Sequence, residues 1–269
     1  VYLLPFAGLM IVFLYHVTGQ AKNAGTDMVL MVVRSDQNTM PGRVAPLILI
    51  ATALTHLFGG SAGREGAALQ FGASLGNWLG RKIHLNESDM SAAFAALFGT
   101  PMAAALFPME VISVGIMYYA ALVPCMFSAF IGERISIFMG VRTLTAPYPV
   151  EEVPDFYGIA WGKAILLAIC FAFVGALFCV MLHIFEKQLK KWFQNPYLRV
   201  FIGGVTVVLL WKITGTDTYL GLGGGTIAQS FEEPQKLWVF LLKILFTCIT
   251  LCSGFKGGEI VPSLFIGAT

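Results

Sequence analysis

Apolar residues run through the chain in long blocks, and the polar positions that interrupt them fall at a few sharp points. Val1–Gly19 is long enough to cross a bilayer, and His16 near its end is read as interfacial. Gln20–Arg43 is polar. Within it, Gly25-Thr26-Asp27-Met28 precedes the short apolar run Val29–Val33, and Thr26 or Asp27 is placed to cap a short helix, either inward-pointing or an ordinary surface one. Val44–Phe58 is apolar but short and ends in glycine. Ala67–Leu79 reads as a helix whose small residues suit close packing. Arg81, Lys82 and Glu87 mark a surface turn.

Ala92–Val111 reads as two helices meeting at Gly99-Thr100-Pro101, closed by Glu110, either an interfacial glutamate or part of a proton path. Gly115–Met139 gives another span, with Glu133-Arg134 expected to form a local ion pair. Val141–Phe156 is an acidic, proline-containing loop. Gly158–Phe185 is the longest span, and Lys187, Lys190, Lys191 and Arg199 follow it around Asn195-Pro196, a cluster that the positive-inside rule places in the cytoplasm. Val200–Ile213, the glycine-rich turn Gly221–Gly225 and Trp238–Leu251 complete the spans. No Gly-Lys-Ser/Thr follows that turn, so it is not read as a phosphate loop.

Two interruptions stand apart. Gly59–Gly72 (GGSAGREGAALQFG) places Arg64-Glu65 between glycines inside an apolar region, and Gly254–Pro262 (GFKGGEIVP) repeats this chemistry with Lys256 and Glu259. A charge at membrane depth persists only where it faces a cavity, pairs or works. Glycine lets the backbone break there, and a helix beginning at Gly66 aims free N–H groups at an anion. Gly-interrupted segments in corresponding positions of two halves point to a substrate site near the bilayer midplane. An ionised glutamate in such a cradle occupies the anion's place and vacates it on protonation. The alternative is a structural Arg64–Glu65 interaction.

Composition narrows the class. The chain has 269 residues, 57% hydrophobic and 12% charged, about half the charged share of a soluble domain. It is therefore read as an all-α polytopic membrane protein with broken, tilted helices, its halves divided at residues 1–156 and 157–269. A net charge of +2 without basic tracts argues against nucleic acid. Cys125, Cys170, Cys179, Cys248 and Cys252 are read as small buried hydrophobes, with no metal site and no cofactor expected. No metalloprotease, serine-hydrolase or paired-aspartate motif suggests an intramembrane enzyme. The chain opens in an apolar segment without an initiator Met and stops as a new helix begins, so further sequence is expected at both ends.

Gly63-Arg64-Glu65-Gly66 followed by a helix resembles the gating-glutamate motif of the CLC chloride channels and proton-coupled antiporters. Phe98–Pro101 with Phe107–Glu110 is similar to the family's next helix pair, and Gly257–Pro262 to its second anion segment. The resemblance spans nearly the whole chain and is strongest to the bacterial fluoride/proton antiporter branch. It implies the CLC inverted repeat and a multi-pass homodimer in the cell membrane, with one halide pathway per subunit. It implies halide/proton antiport, with fluoride export as one form and a passive chloride-selective channel as the alternative. It makes Glu65 the gating and proton-carrying residue and Glu259 a candidate second carboxylate. Anion contacts fall on Gly25, Thr26, Asp27, Met28, Gly63, Arg64, Gly66, Gly258, Ile260 and Val261.

The family's internal proton-transfer glutamate falls at Val111, beside Glu110. Met28–Val33 holds aliphatic residues and methionines where the fluoride branch has phenylalanines, and Val261 stands where it has threonine. The central tyrosine of chloride members would lie beyond Thr269.

Overall fold

The computed structural model describes residues 1–21, 25, 28, 29, 31, 41–82, 102, 106, 109, 119–138, 140 and 158–269. The described residues are helical, in the order α1 (Leu4–Val17), α2 (Val44–Leu57), α3 (Glu65–Lys82), α4 (Leu122–Phe138), α5 (Ile159–Trp192), α6 (Pro196–Thr214), α7 (Gly224–Gln229), α8 (Val239–Ser253) and α9 (Ile260–Ala268). Two compact units divide them. One takes Val1–Phe13, Ala53–Arg64 and Pro147–Thr269, and the other Leu14–Thr52 and Glu65–Ala146.

Local chemistry sets the helix ends. Asn195 accepts a hydrogen bond from the Tyr197 N–H at 2.9 Å, and Pro196 follows at the first helical position, where its missing N–H costs nothing. Gly215 ends α6 in the left-handed conformation at φ 64°. Of the basic cluster expected after the long span, Lys187, Lys190 and Lys191 lie on α5, which continues to Trp192, and Arg199 lies on α6. Lys190 pairs with Glu186 one turn back, and lysines in a last turn suit the negative end of the helix dipole, so α5 runs on until Asn195-Pro196.

In the first unit, α8 is the central element, packed against α5, α6 and α9. Phe178 of α5, Ile244 and Cys248 of α8 and Ile266 of α9 share one buried cluster. Close helix contact rests on missing side chains. A Cβ on Gly204 of α6 would lie 2.7 Å from the Pro5 Cα of α1, and one on Gly203 would meet the Ser253 hydroxyl of α8. Small residues permit such approach where apolar burial alone cannot drive helices together in lipid.

α5 has 34 residues, about 51 Å of helix against a hydrocarbon core of roughly 30 Å. It therefore crosses tilted or projects beyond the bilayer. Its apolar side chains, Ile165, Leu166 and Phe173 among them, are exposed. Cys170 and Cys179 lie on this exposed helix, which corrects the expectation that they are buried. Cys125 and Cys248 are buried as expected.

In the second unit, α2 buries Val44, Ala45, Leu47, Ile48 and Ala51. Ser74 of α3 donates to the Pro41 carbonyl at 2.7 Å, and Gly42 leaves room for the Trp78 ring. Glu133 and Arg134 of α4 form no ion pair, because adjacent positions on a helix point away from each other.

Candidate functional site

The two charged interruptions have the same local build. The first leaves α2 through Gly59 at φ +88° and the second leaves α8 through Gly254 at φ +114°. Each then runs extended to a bridging glycine, Gly63 or Gly258, and one residue later a helix begins. That helix is α3 at Glu65 and α9 at Ile260. Position for position, Arg64 therefore matches Glu259, and Glu65 matches Ile260. The breaks do not repeat one base-and-acid pattern, and Glu259 is not the counterpart of Glu65.

The bridge is reciprocal. Gly63 N–H donates to the Gly258 carbonyl and Gly258 N–H to the Gly63 carbonyl, each at 2.6 Å, in an antiparallel pair. Such a pair is twofold symmetric in its hydrogen bonds, as expected where inverted halves meet. Gly257 is held so close that a Cβ would lie 2.5 Å from the Ala62 Cβ and 3.0 Å from the Gly63 oxygen.

Side chains complete the backbone's hydrogen bonding, as non-helical backbone at membrane depth demands. The Ser61 N–H donates to Thr250 Oγ1 at 3.2 Å, and the Ser61 hydroxyl lies 3.0 Å from that of Thr247. The Gly60 N–H donates to the Thr55 carbonyl at 2.7 Å, and His56 Nε2 lies 3.0 Å from the Ala62 carbonyl oxygen. Ser61, Thr247 and Thr250 are fully buried. α8 thus carries the first break on its hydroxyls and leads directly into the second.

Glu65 is the first residue of α3. Both of its carboxylate oxygens are buried, and neither takes a hydrogen bond from Arg64 or any other described residue. Arg64 itself is exposed, so the structural Arg64–Glu65 interaction is not formed. One turn on, Gln70 is 2% exposed and donates to the Gly66 carbonyl at 3.2 Å, leaving its own oxygen buried and unbonded. A Cβ on Gly25, which sits at φ +69°, would lie 3.9 Å from the Gln70 nitrogen. Gly25, Gly66 and Gln70 are therefore neighbours in the second unit.

Gly258 and Val261 are buried, while Glu259 is exposed. The Glu259 carbonyl accepts from the N–H and the hydroxyl of Ser263, at 2.9 and 2.8 Å, and so closes the first turn of α9. Met28 is helical. Thr26, Asp27 and Glu110 lie outside the described residues. The sequence pattern singled out the glycines and carboxylates but not Gln70, Ser61, Thr247 or Thr250. A hydroxyl or amide in an apolar run gains meaning only when its buried partner is known.

Two helices that restart after glycine breaks bridged at Gly63 and Gly258, one headed by a bare carboxylate, define a membrane body of the broken-helix, inverted-repeat class. The model of the voltage gated chloride channel family matches residues 7–269, and the chain belongs to that family. It is 35% identical to a chloride/fluoride channel protein of Pseudomonas syringae pv. tomato, across all of this chain and 62% of that relative. It is 26% identical to an H(+)/Cl(−) exchange transporter, ClcA, of Cronobacter sakazakii, across 76% of this chain and 47% of that protein. The fold superposes on the crystal structure of a CLC-type fluoride/proton antiporter with a TM-score of 0.91 and 33% identity, covering 98% of this chain and 69% of that one. The chain thus spans about three fifths of the length of the Pseudomonas relative.

Proposed function

We propose that the chain forms the ion-conducting part of a transporter that exchanges a halide, fluoride or chloride, for protons across the cell membrane. The observation that carries this reading is the bare, buried carboxylate of Glu65 at the start of α3, directly after the bridged break. A carboxylate desolvated without partners is costly unless something else compensates its charge or a proton neutralises it. At a helix N-terminus the free N–H groups favour a negative charge. The same N–H groups favour a halide, so carboxylate and anion compete for one place.

The mechanism follows from that competition. Ionised, Glu65 occupies the cradle and excludes the anion. Protonated, it loses the attraction of the N–H groups, swings out and admits a halide. Each cycle then moves a proton one way and an anion the other. Glu259, exposed at the head of α9, serves as the second carboxylate on the proton route, with Glu110 as a further relay. Gly63, Arg64 and Gly66 line the anion's way at the first break, Gly258, Ile260 and Val261 at the second, and Gly25, Thr26, Asp27 and Met28 at the loop. The protein works in lipid as a homodimer, with one such pathway per subunit. The likeness to a chloride/fluoride channel protein and to a CLC-type fluoride/proton antiporter supports the exchange of a halide for protons.

The test is flux from liposomes loaded separately with fluoride and chloride while internal pH is followed. Halide efflux that drives proton uptake against a gradient is the expected result. Halide flux that leaves protons unmoved would make the protein a passive channel instead.

A further inference from the structure

The long helix α5 packs on the core of the first unit through Phe178, Met181 and Phe185. Another face of the same helix is bare. Phe173, Leu177, Val180, Ile184, Lys187 and Lys191 recur along it every three or four residues, and all six are exposed. Residues at that spacing share one side of a helix, so four apolar side chains lead in register to two lysines. Trp192, also exposed, follows directly.

α6 sets the depth of this stripe. It has 19 residues, about 28 Å of helix, which matches a hydrocarbon core of roughly 30 Å. Tyr197 lies at its start and Trp211 near its end, where Trp211 meets the Tyr2 ring edge-on at 5.5 Å. Aromatic rings at both ends mark the two membrane–water interfaces. The Asn195 corner that joins α5 to α6 therefore lies at headgroup level. Lys187 and Lys191 fall within the last two turns of α5 and share that level. From Phe173 to Ile184 the helix rises about 16 Å, and the hydrocarbon of one leaflet is about 15 Å thick.

These two lysines are the uncompensated charges of the corner. Lys190 pairs with Glu186, and Arg199 donates to the Phe193 carbonyl at 3.4 Å. Lys187 and Lys191 take part in no ion pair among the described residues. A basic run that served topology alone would need only its count of charges, not lysines in line with an apolar stripe. We infer that this face of α5 seats an anionic phospholipid, on the side that the positive-inside rule makes cytoplasmic. Its acyl chains lie along residues 173–184 and its phosphate between Lys187 and Lys191. The lysine stems continue the apolar surface and carry their ammonium groups into the headgroup layer. A soluble anion would leave the apolar stripe uncovered, whereas a phospholipid fits both parts at once. Each lysine near an anionic surface is worth about fivefold in affinity.

The experiment reconstitutes the purified protein in phosphatidylcholine vesicles with graded amounts of a brominated lipid, either phosphatidylglycerol or phosphatidylcholine. The bromines sit near the glycerol end of the acyl chains and quench indole fluorescence at short range. The part of the quenching that Trp192→Phe abolishes reports the end of α5. Half-quenching of that signal is expected at about tenfold less phosphatidylglycerol than phosphatidylcholine. Lys187→Gln with Lys191→Gln should bring the two lipids within about twofold of each other, and Lys187→Arg with Lys191→Arg should keep the preference. Lys163→Gln, at the opposite end of α5, should leave it unchanged. All of these changes fall on exposed positions, so folding is expected. Equal quenching by the two lipids in the wild type would overturn the inference, as would a preference that survives in the double glutamine variant. Trp192 quenched by neither lipid would overturn it too, because protein rather than lipid would then cover this face.

Discussion

Gly63 and Gly258 hold each other backbone to backbone, each N–H donating to the other's carbonyl at 2.6 Å. They lie far apart in the chain, and between them they fasten the break that precedes α3 to the break that precedes α9. The approach is possible because the segments carry little beyond backbone. Ala62 faces Gly257, and no larger pair would fit. Breaks held in this way have their backbone groups paired, as non-helical backbone at membrane depth requires.

Gly257→Ala should therefore destabilise the protein by about 1–3 kcal/mol, the usual range for an overpacked interior. Gly225→Ala provides the contrast, since a Cβ there meets nothing within 4 Å. It should be neutral or slightly stabilising, as expected for alanine replacing glycine in a helix. Melting followed by size-exclusion of the detergent-solubilised protein distinguishes the two. Equal melting temperatures would mean that the Ala62–Gly257 approach is not tight.

The Ser61–Thr247 contact predicts a measurable coupling. Ser61→Ala and Thr247→Val each remove one hydroxyl of a buried pair 3.0 Å apart. Each single change leaves a buried partner unsatisfied, at about 1–3 kcal/mol, and the double change should cost less than their sum. A double-mutant cycle should show a coupling of about 0.5–1.5 kcal/mol. Strict additivity would mean that the two hydroxyls do not share a hydrogen bond.

Glu259 separates from Glu65 in its expected behaviour. It is exposed, and its backbone carbonyl closes the first turn of α9 by accepting from Ser263. Glu259→Gln should leave stability within about 0.5 kcal/mol, as for most surface changes, while lowering the number of protons moved per halide. Unchanged proton coupling in a dye-based pH assay would confine Glu259 to its place at the helix start.

Much of this was legible from residue pattern. Glycine flanked by charge inside apolar runs marked both breaks, because few other reasons put Arg64-Glu65 or Lys256 and Glu259 there. The family resemblance drawn from Gly63–Gly66 and Gly257–Pro262 is the family that the whole chain matches. What stayed hidden was pairing at a distance. Periodicity does not reveal that Gly63 bonds Gly258, nor that Arg64 rather than Glu65 is the counterpart of Glu259. Nor does it reveal that Lys243, inside the apolar span Trp238–Leu251, has two backbone carbonyls more than twenty residues away as its partners. α5 outran its apolar block because Glu186 through Lys191 are good helix formers whose charges help each other along the helix.

The most direct test of the account is proton movement by Glu65→Gln under an imposed halide gradient, in liposomes with both halide and pH recorded. Glutamine keeps the shape of the side chain and loses the titrating proton. Halide flux that persists while uphill proton transport falls to background is the predicted result. Proton transport at the wild-type rate and stoichiometry would contradict the assignment of Glu65 as gate and proton carrier.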